Sequence, residues 1–181
     1  MSFKEAVTYI TGTLQDVLSK NESAQITELI RYILEAHKVF VYGVGRSGHV
    51  GKSFAMRLVQ LGLKAYFIGE TITPIVEVGD AAVIISYTGE TMSAIQTGNI
   101  VRRVGAKVVV VTSDPKSKLA HVGNIVICIP IKDDERQTDL APLGTLFEDA
   151  ALILLDGVIS ELMIKLGETE ESMRKRHAIM V

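Results

Sequence analysis

Val39-Phe40-Val41-Tyr42, running into Gly43-Val44-Gly45-Arg46-Ser47-Gly48, decides how this chain folds. An unbroken apolar run rich in β-formers and closed by glycines reads as a strand buried on both faces, with a tight turn after it. The stretch Val50–Leu61 beyond the turn reads as a helix. Four similar apolar runs follow at Ala65–Ile68, Ala82–Ile85, Val108–Val111 and Ile125–Ile129. Helical stretches over Met92–Val104 and, more briefly, near Ser117–His121 separate most of them, and the link through Thr73-Pro74 is irregular. Strands alternating with helices predict an α/β fold: a doubly wound, five-stranded parallel sheet flanked by helices.

The flanks of that core are helical. Phe3, Val7, Ile10, Leu14, Val17 and Leu18 recur at steps of three and four, so a helix is expected over Ser2–Lys20. A second, with Ile26, Leu29, Ile30, Ile33 and Leu34 on one face, is expected after a turn at Asn21-Glu22-Ser23. A long helix over Gly144–Leu166 closes the core, and Gly167 is a natural stop for it. The charged stretch Glu168–Val181 reads as one more helix. Without repeat or linker, residues 1–181 are expected to form one domain: a helical pair over 1–37, the α/β core over 38–167 and a helical tail over 168–181.

Composition narrows the classes of function. The chain has 181 residues, 48% of them hydrophobic, and 19 basic against 21 acidic side chains give a net charge of −2. That balance argues against nucleic acid or a membrane surface as the main partner, since both favour a basic face. No apolar run nears the ~20 residues that span a bilayer, and the amphipathic N-terminus does not resemble a signal peptide. The lone Cys128 sits in an apolar strand and has no internal disulfide partner. A soluble protein of the reducing cytoplasm is therefore expected. Scattered histidines and one cysteine offer no metal-ligand spacing, and neither a metal nor a cofactor is expected.

Two loops carry the chemistry. The run Gly43-Val44-Gly45-Arg46-Ser47-Gly48 matches G-x-G-x-x-G, and Glu70 lies where a ribose-binding acid would fall, so a dinucleotide site must be weighed. Against it stand the polar Arg46 and Ser47 in the turn and a second polar loop that the fingerprint does not use. A phosphate-binding Walker loop nearly forms at Gly51-Lys52-Ser53, but its first glycine would fall on Arg46. The bland alternative is a tight turn without ligand. The second loop, Ser86-Tyr87-Thr88-Gly89-Glu90-Thr91, places three hydroxyls at a strand-to-helix turn. Helix capping needs only one hydroxyl; three, together with free N–H groups at a helix start, favour an anion site.

Gly45-Arg46-Ser47-Gly48 followed by Ser86–Thr91 resembles the sugar isomerase (SIS) domain, a flavodoxin-like fold that binds phosphosugars. More narrowly, Tyr42–Gly48, Phe54–Leu58, Pro142-Leu143-Gly144-Thr145-Leu146-Phe147-Glu148 and Arg174-Lys175-Arg176-His177-Ala178 resemble the 6-phospho-3-hexuloisomerase family. One departure is Tyr87-Thr88, where such loops often read Gly-Ser. The resemblance implies an isomerase interconverting 3-hexulose 6-phosphate and fructose 6-phosphate through an enediol, after aldol fixation of formaldehyde onto ribulose 5-phosphate in the ribulose monophosphate pathway. It also implies a homotetramer with sites near subunit boundaries. Two other readings remain open: an isomerase of another aldose–ketose phosphate, and a sugar-phosphate sensor without turnover.

Moving a carbonyl between neighbouring carbons requires a base that removes the proton α to it. The resemblance assigns that role to Glu148, near the start of the closing helix, where the bland reading is a carboxylate favouring the positive helix end. Its neighbour Asp149 lies ~100° round the helix and is not expected to face the same atom. The resemblance further gives His177 a proton relay in a neighbour's site, while Arg46, a fixed cation able to stabilise a developing enediolate, is expected to hold the sugar or polarise its carbonyl oxygen. Phosphate is expected at Arg46, Ser47, Gly48, Ser86, Tyr87, Thr88, Gly89, Glu90 and Thr91. His49 lies close to that site in sequence, whereas His37 and His121 read as structural or solvated.

Overall fold

In a computed structural model of the chain, residues 2–20, 23–132 and 134–179 are described. The expected turn at Asn21-Glu22 and the last two residues of the tail lie outside them. Two helices come first, α1 (Phe3–Leu18) and α2 (Ser23–Glu35). The core follows as β1 (Val39–Gly43), α3 (Gly45–Gln60), β2 (Ala65–Phe67), β3 (Ala81–Ile85), α4 (Met92–Val104) and β4 (Lys107–Thr112). A 3-10 turn (Ala120–Val122), β5 (Ile125–Cys128), a one-turn α5 (Gln137–Leu140), α6 (Thr145–Leu166) and α7 (Glu170–Lys175) complete the order.

All strands are parallel, in the order β2-β1-β3-β4-β5. The chain leaves β1 in one direction to make β2 and returns past it to make β3. Right-handed crossovers then place α3 and α4 on opposite faces of the sheet. Alternate strand residues divide accordingly. Val41, Val83, Ile85, Val109 and Val111 join a core with α1, α2, α3 and α6, while Phe40, Ala82, Ile84, Val108 and Val110 join one with α4 and the 3-10 turn. Every residue of β3 is buried, which explains why its sequence is continuously apolar rather than alternating. Each such Val or Ile contributes about 1.5–3 kcal/mol through burial.

Three elements differ from the sequence reading. Helix α3 begins at Gly45 rather than near Val50, because its first buried turn is made of Ser47 and Gly48 instead of aliphatic side chains. The short α5 is an addition to the expected elements, since its four residues bury nothing and so leave no apolar pattern. The tail helix stops at Lys175. The reversal of strand order lies between β1 and β3, so the turns after these two strands open into one crevice, the usual ligand position in such a sheet.

Candidate active site

The turn after β1 is set by a close approach of two glycines. A Cβ on Gly43 would lie 2.8 Å from the Ser47 backbone, and one on Gly48 would lie 2.7 Å from the Gly43 oxygen. With both missing, α3 starts immediately against the strand end and Ser47 faces the crevice. There Ser47, Ser86, Tyr87, Thr88, Thr91 and Glu148 line a cavity of about 210 Å³. That is below the ~300–1,000 Å³ of sites for larger ligands and suits a small anion with a few carbons. The first turns of α3, α4 and α6 converge on it, and each offers N–H groups without intrahelical partners. Anion binding therefore needs no lysine in the lining.

Glu148 is 6% exposed and Ser47 7%. The Ser47 hydroxyl donates to Glu148 Oε1 at 3.0 Å. Oε2 is buried without a hydrogen-bond partner, and its nearest cation is Arg46 Nε, at 3.9 Å. Burial pushes the Glu148 carboxyl up from the ordinary glutamate range, opposed by the Ser47 hydrogen bond and the Arg46 charge. A carboxylate with one oxygen held and the other free of hydrogen bonds, its basicity raised by desolvation, has what a general base requires.

Arg46 does not line the cavity. Its guanidinium lies half-exposed across the start of α6, donating to Asp149 Oδ1 at 2.5 Å and to Thr145 Oγ1 at 3.4 Å. Asp149 is thus turned to Arg46, and one cation sits between two adjacent carboxylates.

In the second loop the Ser86 hydroxyl donates to Thr91 Oγ1 at 3.3 Å. Thr91 is the N-cap of α4 yet makes no side-chain cap bond, so capping does not account for it. Thr88 Oγ1 accepts the Glu90 N–H at 3.2 Å. The Tyr87 ring packs on Phe147, centroids 5.2 Å apart, and its carbonyl accepts from Thr112 and Ser113. The bulk at position 87 therefore braces the residue preceding Glu148.

Besides Arg46, four residues expected at the phosphate or the base lie outside the cavity lining. Gly48 is buried against Gly43, and its N–H bonds the Val44 carbonyl at 3.3 Å. At Gly89 the backbone turns left-handed, φ +66°, and packs on Ser117. That turn sends Glu90 away from the cavity to Lys118, whose ammonium lies 2.7 Å off and holds the Glu90 carboxyl below its usual range. These residues fasten the loop rather than line the cavity. His177 is exposed beyond α7, where its neighbour Arg176 donates to the Gln60 carbonyl at 3.1 Å. Gln60 ends the helix that Gly45 begins, so this anchor lies about 20 Å along α3 from Ser47 at 1.5 Å per helical residue. His49 is exposed on α3. Glu70, the acid of the dinucleotide alternative, instead pairs with Lys52 at 2.9 Å. No cluster suited to a metal ion occurs among the described residues.

A wider groove of about 1,020 Å³ runs between α1 and residues 134–140. None of its carboxylates, Glu5, Asp134 and Asp139, is buried, so the chemistry points to the smaller cavity. Sequence reasoning missed Asp149 as the partner of Arg46 and Tyr87–Phe147 as a brace. Neither pairing leaves a trace in residue spacing.

Residues 32–154 match the SIS domain. A Methanocaldococcus jannaschii protein named 3-hexulose-6-phosphate isomerase is 38% identical over 157 residues, covering 84% of this chain and 82% of that one. A Bacillus subtilis protein of the same name is 34% identical, covering 98% of each. A crystal structure from Methanococcus jannaschii, for which a 3-hexulose-6-phosphate isomerase function was inferred, superposes with a TM-score of 0.88 at 32% identity, covering 98% of this chain and 99% of that one.

Proposed function

Since the chain belongs to the SIS-domain family, and within it to the 3-hexulose-6-phosphate isomerases, we propose that it interconverts 3-hexulose 6-phosphate and fructose 6-phosphate. The observation that carries this reading is the buried Glu148 carboxylate, with Oε2 free of hydrogen bonds, at the edge of a hydroxyl-lined, phosphate-sized cavity. The phosphate sits among Ser86, Thr88, Thr91 and the first-turn N–H groups of α3 and α4. The sugar carbons extend toward Glu148.

Glu148 takes the proton from C2 of the 3-ketose, giving a 2,3-enediol. The proton returns to C3 while the O2 hydroxyl hydrogen passes to O3, so the carbonyl moves from C3 to C2 with no net change in atoms or electrons. Arg46 lies near enough to steady charge that develops on the enediolate. The Ser47 hydroxyl, already donating to Glu148, orients the base, which leaves its backbone N–H for the phosphate. A fixed carboxylate beside the reacting carbon accelerates proton transfer by about 10²–10⁴-fold.

The reaction follows formaldehyde fixation in the ribulose monophosphate pathway, in the cytoplasm, where the lone Cys128 stays a thiol. The chain, residues 1–181, acts as one domain in a homotetramer, in which a neighbouring copy's tail brings His177 to the cavity. The anchoring of the tail by Arg176 at the Gln60 end of α3, the end opposite Ser47, supports that arrangement.

Incubation with fructose 6-phosphate in deuterated water tests the reading. Deuterium should enter a carbon-bound position in step with formation of the 3-ketose, and Glu148→Gln should abolish exchange while phosphate binding persists. Binding without exchange by the unmodified protein would leave a sensor. Exchange that survives Glu148→Gln would remove the base assignment.

A further inference from the structure

We infer that Gly144 is a positioning residue for the Glu148 carboxylate, which folds back into the space a side chain at Gly144 would fill. The inference rests on the proposed role of Glu148 as base. A Cβ built on Gly144 would lie 2.3 Å from Oε2, 2.8 Å from Oε1 and 2.9 Å from Cδ of Glu148. Real Cβ atoms essentially never approach another heavy atom within 3.0 Å, so a methyl group and this carboxylate cannot share the site.

Backbone freedom does not explain the glycine. Gly144 has φ −85° and ψ 11°, a conformation open to any L-residue. Its neighbour Leu143 is the one with the left-handed backbone, φ 57°, where glycine would sit without strain. The glycine thus falls one residue beyond the place that backbone geometry calls for it. It falls where the carboxylate needs room. The turn is held by the Thr145 hydroxyl donating to the Pro142 carbonyl at 2.8 Å and by Gln137 Nε2 donating to the Leu143 carbonyl at 3.4 Å. Strain of this kind persists where the surroundings over-determine it, commonly at functional sites. With the carboxylate folded over Gly144, Oε1 meets the Ser47 hydroxyl and Oε2 stays without a hydrogen-bond partner. An added methyl would push the carboxylate off both the serine donor and the start of α6.

Gly144→Ala in the full chain tests this. A misplacement of about 1 Å at a reacting group can cost ~100-fold. We expect kcat to fall about ten- to hundred-fold, KM for the sugar phosphate to change less than about twofold, and the acid limb of the pH profile to move to higher pH as the carboxylate loses its donor. Melting temperatures read the contact without substrate. Gly144→Ala should lower the melting temperature of the otherwise unmodified protein and lose that effect in a Glu148→Ala background, where any loss of helix capping cancels. Unchanged kcat and acid limb would overturn the inference, as would equal melting losses in both backgrounds. A background-dependent melting loss without any turnover by the unmodified protein would preserve the contact but overturn the reading of Glu148 as base, and the positioning role with it.

Discussion

Ser47→Ala separates the two roles open to a hydroxyl at the start of α3. Ser47 Oγ donates its proton to Glu148 Oε1 at 3.0 Å, and both residues are buried. A hydrogen bond to a charged group is worth about 1.5–3 kcal/mol, and ~1.4 kcal/mol corresponds to one pKa unit. The bond favours the ionised carboxylate and holds down a pKa that burial has raised. Removing the hydroxyl should therefore raise the pKa further, more if the space left stays dry than if water enters it. The assay is kcat/KM against pH, with deuterium incorporation as the readout. The acid limb should move to higher pH, so that kcat/KM on that limb falls about ten- to hundredfold for a lost hydrogen bond of this strength, and KM on the plateau should hold within about twofold, because the Ser47 backbone N–H remains for the phosphate. An unmoved limb with a large rise in KM would refute the reasoning, since the hydroxyl would then be serving the phosphate. Stability supplies a second check. A buried acid whose folded-state pKa is raised costs stability once ionised, so that cost is absent below the unfolded-state value and grows as pH rises through the folded-state value. In Ser47→Ala the window should extend to higher pH.

Asp149→Asn should act with the opposite sign. The Asp149 charge raises the Glu148 pKa and draws Arg46 toward itself, so its loss should lower the acid limb; an upward move would contradict the arrangement. Thr91→Val removes a cavity hydroxyl that caps nothing. Isothermal titration with inorganic phosphate should show at least about tenfold weaker binding at an almost unchanged melting temperature, whereas a stability loss with normal binding would restore the capping explanation. Leu58→Ala opens the fully buried seam between α3 and the sheet and should cost about 2–5 kcal/mol in denaturant titration. A cost below ~1 kcal/mol would mean the seam is not tightly packed. Mixing Glu148→Gln with His177→Asn tests whether the tail serves another copy: co-expressed chains should recover activity that neither variant has alone, and no recovery would return His177 to a solvated tail.

The sheet is legible in the sequence because each strand is an unbroken apolar run, and such runs suit strands covered on both faces. β3 is the clearest case. Glycines and hydroxyls after β1 and β3 likewise mark the crevice, since a backbone that must approach an anion uses those residue types. What spacing does not carry is direction. Gly89 turns Glu90 out to Lys118, Gly48 backs onto Gly43, and the Ser47 hydroxyl goes to Glu148, although all of these residues but Lys118 and Glu148 stand in the same two motifs. The start of α3 is hidden because its buried turn is glycine and serine, which produce no apolar stripe.

The sequence alone determined the layer order and which segments would meet, because burial of apolar runs and glycine turns are local properties of composition. Tertiary structure alone decided the base's surroundings: a carboxylate from α6 held by a serine from α3, 101 positions apart, in space left by a missing side chain at Gly144. Desolvation and close contact depend on what other elements bring to the same point, and no local pattern records that.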